Sequence, residues 1–259
     1  QKLLDTMFSS ICIQLATLPL SLYFYFEVPC YSVLANGLIL PFLGPTLSVG
    51  LLGAFVGIFS IPAPTYILAP VGWLLSGNEV ICRGILSLPG SVFAAGKPGL
   101  ALVCLYYGVL ASVLYLLAQG AGRKWLLGLM ATLWLVLFLR EPPGFGVYVL
   151  DVGQGDGIFV QTKEGEHFFV DGGSSDVKQV GKYRILPFLK AKGIASIKGW
   201  LVSHADYDHI SGLEELLESG YPIEYLIVAD GMARDEASEH LLHLARQAGH
   251  KNINMDLIA

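Results

Sequence analysis

Three long runs without a single charged side chain decide what this chain can fold into. They span residues 7–26, 32–60 and 99–119. About twenty residues coiled as a helix cross the roughly 30 Å of hydrocarbon in a bilayer. Such runs cannot all be buried inside a domain of this size, so they need lipid around them. Composition agrees: of 259 residues 54% are hydrophobic and 14% charged, where a soluble domain carries about a quarter charged residues. The charge is also uneven. Residues 1–146 hold six Lys/Arg and four Asp/Glu; residues 147–259 hold ten against seventeen, a formal charge of −7. The chain is predicted to be a multi-pass α-helical membrane region over 1–140, a linker over 141–146 and an acidic soluble domain over 147–259.

Within the membrane region Pro19 interrupts the first run, and Glu27 and Pro29 mark the turn after it. A proline in a spanning helix frees a carbonyl that neighbouring helices must satisfy. The second run contains Asn36, Pro41, Gly44 and Pro45. An amide in an apolar helix is expensive unless it is bonded, so Asn36 either lines a polar pathway or ties two helices together. Gly50, Gly53 and Gly57 recur at helical spacing and permit close helix approach. Residues 63–76 are apolar but short, and 63–95 reads as a membrane-dipping or amphipathic segment. Residues 125–139 form a last, short run between Trp125 and Arg140, both suited to the interface. Arg123 and Lys124 in the loop before it favour a cytoplasmic loop, which would place the soluble domain outside the cytoplasm. Cys12, Cys30, Cys82 and Cys104 all lie in the membrane region and read as small apolar residues. The first residue is Gln1, and the last are Leu257-Ile258-Ala259; we expect a fragment at both ends.

Glu141-Pro142-Pro143-Gly144 cannot continue a helix. Beyond it, residues 147–151, 157–162 and 167–170 read as strands, with a hairpin turn over 163–166. A helix is expected within 180–192, ended by Gly193, and a buried strand over 197–202. A helix over 213–219, a strand over 223–228 and an amphipathic helix over 235–248 follow. Between the strand at 197–202 and the next helix lies Ser203-His204-Ala205-Asp206-Tyr207-Asp208-His209-Ile210-Ser211-Gly212. Four candidate metal ligands fall within six residues. Imidazole and carboxylate together suit borderline to hard divalent cations.

This segment resembles the HxHxDH signature of the metallo-β-lactamase superfamily in an HxDxDH form. Upstream stand Leu150-Asp151-Val152-Gly153-Gln154-Gly155-Asp156 and Asp171-Gly172-Gly173. Together with Gln14-Leu15-Ala16-Thr17-Leu18-Pro19-Leu20 and Asn36-Gly37-Leu38-Ile39-Leu40-Pro41, they are similar to the ComEC family of membrane channels in bacterial natural transformation. The resemblance implies the N-terminal half of an αββα sandwich. It implies His204, Asp206, Asp208 and His209 as metal ligands, with Asp208 also orienting a catalytic water. Asp171, and with it Asp151, Asp156 and Gln154, would brace the ligands by hydrogen bonds. One or two divalent ions, manganese or zinc, would be held. Asp206 stands where the commoner motif has histidine, and that harder donor shifts preference toward manganese.

For function, the resemblance implies uptake of single-stranded DNA through the bacterial cytoplasmic membrane. It also implies hydrolysis of the other strand and work beside other competence-machinery proteins. Two further readings remain: a membrane-tethered hydrolase of a small ester or nucleotide, and a non-catalytic domain of the same fold. The acidic soluble part argues for no broad phosphate-binding surface. Lys178, Lys182, Arg184, Lys190 and Lys192 form its one basic-leaning stretch. His240 and His243, with His250 beyond them, and His167 read as surface or structural features.

Overall fold

The computed structural model describes residues 2–59, 63–120, 128, 131, 144–229, 236–249 and 254–258. The chain divides into two compact units, residues 1–21 with 27–93 and residues 22–26 with 94–259.

The apolar runs become helices: α1 (Lys2–Tyr25), α2 (Ser32–Gly57), α3 (Ala63–Leu86) and α4 (Leu100–Ala118). Stretches of α1, α2 and α4 are long and apolar enough to cross a membrane. Pro19, Pro41 and Pro45 sit inside α1 and α2. Leu47, Leu51 and Phe55 form an exposed stripe at four-residue spacing on α2, as lipid-facing side chains should. α2 and α3 pack together in the first unit, where a Cβ on Gly53 would collide with the Leu68 side chain.

α3 runs on for 24 residues through Asn78, Glu79 and Arg83, where the Glu79 carboxylate and Arg83 guanidinium pair one turn apart at 2.6 Å; it is not among the helices long and apolar enough to cross a membrane. Residues 27–29 differ from expectation: instead of a plain turn they form a short strand, β1 (Glu27–Pro29), paired with β2 (Val92–Ala94). The run at 125–139, the Arg123-Lys124 loop, Glu141 to Pro143 and His250 lie outside the described residues, apart from helical positions 128 and 131.

The second unit holds a six-stranded sheet in the order β3 (Gly146–Val149), β4 (Gly157–Gln161), β5 (His167–Asp171), β6 (Ile197–Val202), β7 (Ile223–Ala229) and β8 (Asn254–Ile258). The first three strands are antiparallel and the last four parallel. The crossovers between parallel strands are α5 (Leu186–Lys192), entered through one π-helical turn at Gly181–Ile185, then α6 (Tyr207–Glu218) and α7 (Glu236–Gly249). Right-handed crossovers between strands laid down in sequence order all land on one face of a sheet.

That face carries the core. Phe159, Phe169, Trp200, Leu226 and Val228 point into it and meet Ile185, Leu189, Leu213, Leu216 and Leu241. The pairing register puts Val147, Val149, Ile158, Val160, Phe168, Val170, Leu201 and Ile227 on the opposite face, where every one is at least partly exposed. Gly193 ends α5 in the left-handed conformation (φ 73°) that glycine adopts without strain.

Candidate metal centre

In open α/β sheets, ligand sites form beyond the carboxyl ends of the parallel strands. Here β5 ends at Asp171 and β6 delivers Ser203 and His204. Asp171 itself turns left-handed (φ 56°) and Gly172 follows at φ 125°, which reverses the chain within two residues.

The candidate ligands do not share one turn, as their spacing had suggested. Asp206 has extended backbone (φ −72°, ψ 146°) and caps α6. Its carbonyl accepts the N–H groups of His209 at 2.8 Å and Ile210 at 3.1 Å. His204 and Asp206 therefore lie in the turn, whereas Asp208 and His209 lie in the first helical turn. The polar first turn hides this start from any reading based on apolar period. An N-cap aspartate ordinarily bonds a backbone N–H with its side chain. The Asp206 side chain makes no such bond, and its carboxylate stays 71% exposed, available to a cation.

A relay orients His204. The Asp171 carboxylate accepts from the Ser203 N–H at 2.8 Å and the Ser203 hydroxyl at 2.9 and 3.0 Å. The same hydroxyl oxygen lies 2.9 Å from His204 Nδ1. An ionised carboxylate only accepts, so the hydroxyl proton goes to Asp171 and the hydroxyl oxygen receives the Nδ1 proton. That tautomer leaves the Nε2 lone pair of His204 facing Asp206 Oδ2, 3.4 Å away. Two donors bound to one tetrahedral ion at ordinary bond lengths stand about 3.4 Å apart. The pair fits a shared cation.

His209 is packed beside it, with ring centroids 3.8 Å apart. Its side chain is only 13% exposed, with Nδ1 3.2 Å from Asp171 Oδ2 and 3.8 Å from Asp156 Oδ2, and Nε2 3.8 Å from Asp208 Oδ2. Yet Nδ1 has no well-aligned hydrogen bond among the described residues. A buried ring nitrogen that makes no hydrogen bond, ringed by carboxylates, is chemically suited to a cation. Asp156, Asp171 and His209 present ligand atoms within 4.8 Å of one another.

Asp156 arrives by close backbone contact. A Cβ on Gly155 would strike the Gly173 and Asp208 carbonyls, and one on Gly173 would strike Asp208 and the His209 nitrogen. Only glycine lets the 153–156 loop, the 172–174 turn and the start of α6 pack this tightly. Gln154 holds the loop: its carbonyl accepts from Ser175 N–H at 2.8 Å and its own N–H donates to Asp176 at 2.7 Å. Asp151 instead pairs with Arg184 at 3.4 Å on the exposed rim.

Asp176, Ser203 and the buried Ser174–Ser211 pair were not singled out from sequence. The polar run Asp171 to Asp176 was a signal for Ser174 and Asp176 alone, and the roles of all four depend on contacts 22 to 37 residues apart. The Asp176 carboxyl is held below its ordinary range, first by the Gln154 N–H and then by the Ser174 hydroxyl. A lowered folded pKa gives stability that is full above the unfolded value, about 3.9, and is lost as pH falls through the folded value. Protection factors of the 153–156 amides should therefore drop below about pH 4 in the wild type. In Asp176→Ala they should already be low at neutral pH and show no such step. Equal protection in both proteins at neutral pH would remove Asp176 from this role.

The other singled-out residues lie elsewhere. His240 Nδ1 pairs with Glu214 at 2.9 Å, which raises the imidazole pKa, and His243 lies 3.5 Å from the Gln247 amide. His167 stacks on Phe159, and burial lowers its pKa. Asn36 is half-buried on α2, one turn beyond Ser32, whose hydroxyl donates to the Gln14 side chain at 2.6 Å.

Residues 1–120 match the family model described as competence protein, and residues 150–240 match that of the metallo-β-lactamase superfamily. ComE operon protein 3 of Bacillus subtilis (strain 168) is 25% identical over 261 residues, covering 93% of this chain and 33% of its own length. Competence protein ComA of Neisseria gonorrhoeae is 30% identical over 200 residues, covering 74% of this chain and 26% of its own. The chain thus spans about a third or less of the curated relatives it matches. Among solved structures, a diphosphatase of the PhnP family matches 40% of this chain and 37% of its own at 17% identity, with a TM-score of 0.25.

Proposed function

The chain joins a competence-protein membrane region to a metallo-β-lactamase-superfamily domain and belongs to the ComEC family; from that premise we propose that it serves DNA uptake. On this reading the helices contribute to a path for one DNA strand across the bacterial cytoplasmic membrane. The soluble domain, outside the cytoplasm, hydrolyses phosphodiesters of the other strand, and further competence proteins work beside it. Asn36, near the Gln14–Ser32 pair, would line part of the membrane path.

One observation carries the hydrolytic half: a buried His209 nitrogen with no hydrogen bond among carboxylates, on the same short segment as an Asp206 carboxylate that makes no side-chain capping bond. His204, Asp206, Asp208 and His209 would hold one or two divalent ions. Such an ion would polarise a phosphoryl oxygen and make water easier to ionise near neutral pH. The chain's own residues do the rest. Ser203 and Asp171 fix the His204 tautomer and so its ligand atom. Asp156 adds a carboxylate against His209. Asp208 orients the attacking water, whose oxygen bonds to phosphorus as the bond to one sugar oxygen breaks. That oxygen leaves with a proton. Two of the four ligand residues, His204 and Asp206, lie at exposed positions, and the carboxylate at Asp206 favours manganese over zinc.

The test is metal removal and return. Purified protein stripped with chelator should leave end-labelled DNA intact. Cutting should return with Mn²⁺ and more weakly with Zn²⁺. A folded protein that fails to cut with any divalent metal returned would sink the hydrolytic half and leave the membrane path standing.

A further inference from the structure

The site is poor in positive charge, so it lacks the usual means of holding a polyanion. Its neighbours are Asp156, Asp171, Asp206 and Asp208, and Arg184 on the rim is paired with Asp151. Beyond the cation proposed above, the side chains named here offer no phosphate-neutralising charge, so a contact that works without charge would add to the hold on a nucleic acid. α6 carries one large side chain that folding does not use. Ile210, Leu213, Leu216 and Leu217 are buried, whereas Tyr207 is 62% exposed. It is the first residue of α6, between Asp206 and Asp208 in sequence. Consecutive Cα atoms lie about 3.8 Å apart, so its backbone lies between those of two candidate ligands. No hydrogen bond or ring contact engages it among the described residues.

We propose that Tyr207 is the stacking platform for a nucleobase beside the scissile phosphate, and that it makes the site select nucleic acid with unstacked bases over other phosphodiesters. This rests on the nuclease reading above and names the substrate that reading needs. Stacking suits the place for a physical reason. Every base has a π-face, so the contact tolerates any sequence, and it works without charge. A base inside a duplex has both faces covered by its neighbours, so the ring accepts bases only from single strands, frayed ends or gaps. Binding that leans on stacking should also weaken only gently with salt, unlike binding by many phosphate contacts.

The test uses the full protein loaded with Mn²⁺ and a fluorescein-labelled oligothymidylate. Tyr207→Ala and Tyr207→Leu should raise KM about tenfold, within the range that loss of one base–aromatic stack produces, and change kcat much less. Tyr207→Phe, which keeps the ring, should stay near wild type. Against an oligomer with abasic sites, the wild type should lose its advantage over Tyr207→Ala. The same wild-type comparison of intact and abasic oligomers needs no variant to fold. A KM in Tyr207→Ala within twofold of wild type, a defect in Tyr207→Phe as large as in Tyr207→Ala, or no preference of the wild type for bases overturns the proposal while the nuclease reading stands. A wild type that cuts no DNA overturns both.

Discussion

On the proposed nuclease reading, replacing His209 with alanine is expected to lower metal-dependent DNA cleavage by well over 100-fold. Loss of an outer hydrogen-bonding partner of a metal ligand already costs roughly 10–100-fold, and the role proposed for His209 is that of a ligand itself. Its side chain is 13% exposed, and its two nitrogens lie between Asp171 and Asp156 on one side and Asp208 on the other. Without the ring, three carboxylates face one another across a gap with no donor between them. Metal affinity, read by calorimetric titration with Mn²⁺, should fall in step with activity. His209→Gln, of similar length but weak as a ligand, should recover packing and not cleavage. If His209→Ala retained cleavage within tenfold of wild type, the centre would have to be rebuilt around other donors.

The largest effect on stability is expected at Trp200. Its side chain is fully buried, stacked on Phe169 with ring centroids 4.3 Å apart and planes 17° from parallel. Its Nε1–H donates to the Asp171 carbonyl at 2.6 Å. Trp200→Ala should destabilise the domain by about 3–5 kcal/mol, the usual range for removing a large aromatic from a core. For a domain of this size that lowers Tm by roughly 10–20 °C. Trp200→Phe separates the two contributions. It keeps most of the stacking surface and leaves the Asp171 carbonyl short of its donor, a loss of about 1–3 kcal/mol. Scanning calorimetry of the three proteins should rank wild type, then Phe, then Ala. An alanine variant that melted within about 3 °C of wild type would mean that this core does not anchor Asp171.

The element order and the density of candidate ligands were legible because each is written in adjacent residues. Ile197 to Val202 is a short apolar run, and His204 to His209 concentrates donors in six positions. The start of α6 was not legible, since Tyr207, Asp208 and His209 offer no apolar period and the capping is done by backbone alone. Nor was the approach of Asp156, which depends on glycine backbones meeting across long sequence separations at Gly155, Gly173 and Asp208. Ser203 looked like a bystander because its value lies in joining Asp171 to His204, 32 residues on one side and one on the other. In the membrane region the polar residues of α3 obscured its length, because the Glu79–Arg83 pairing that accommodates them reads as a break. The strand at 254–258 was missed because it is short and carries Asp256 within it, and it joins the sheet by pairing with β7.

The same regularity that puts every crossover helix on one side makes the sheet a two-faced object. Eight aliphatic and aromatic side chains lie in register across β3 to β7, none of them fully buried among the described residues, and Val149 at the rim is 79% exposed. Water wets such a plane poorly, and apolar patches of this breadth are adhesive. The practical limit on handling the soluble half by itself is therefore colloidal. A sample can be correctly folded around Trp200, with its donors in place, and still leave solution by gluing bare face to bare face.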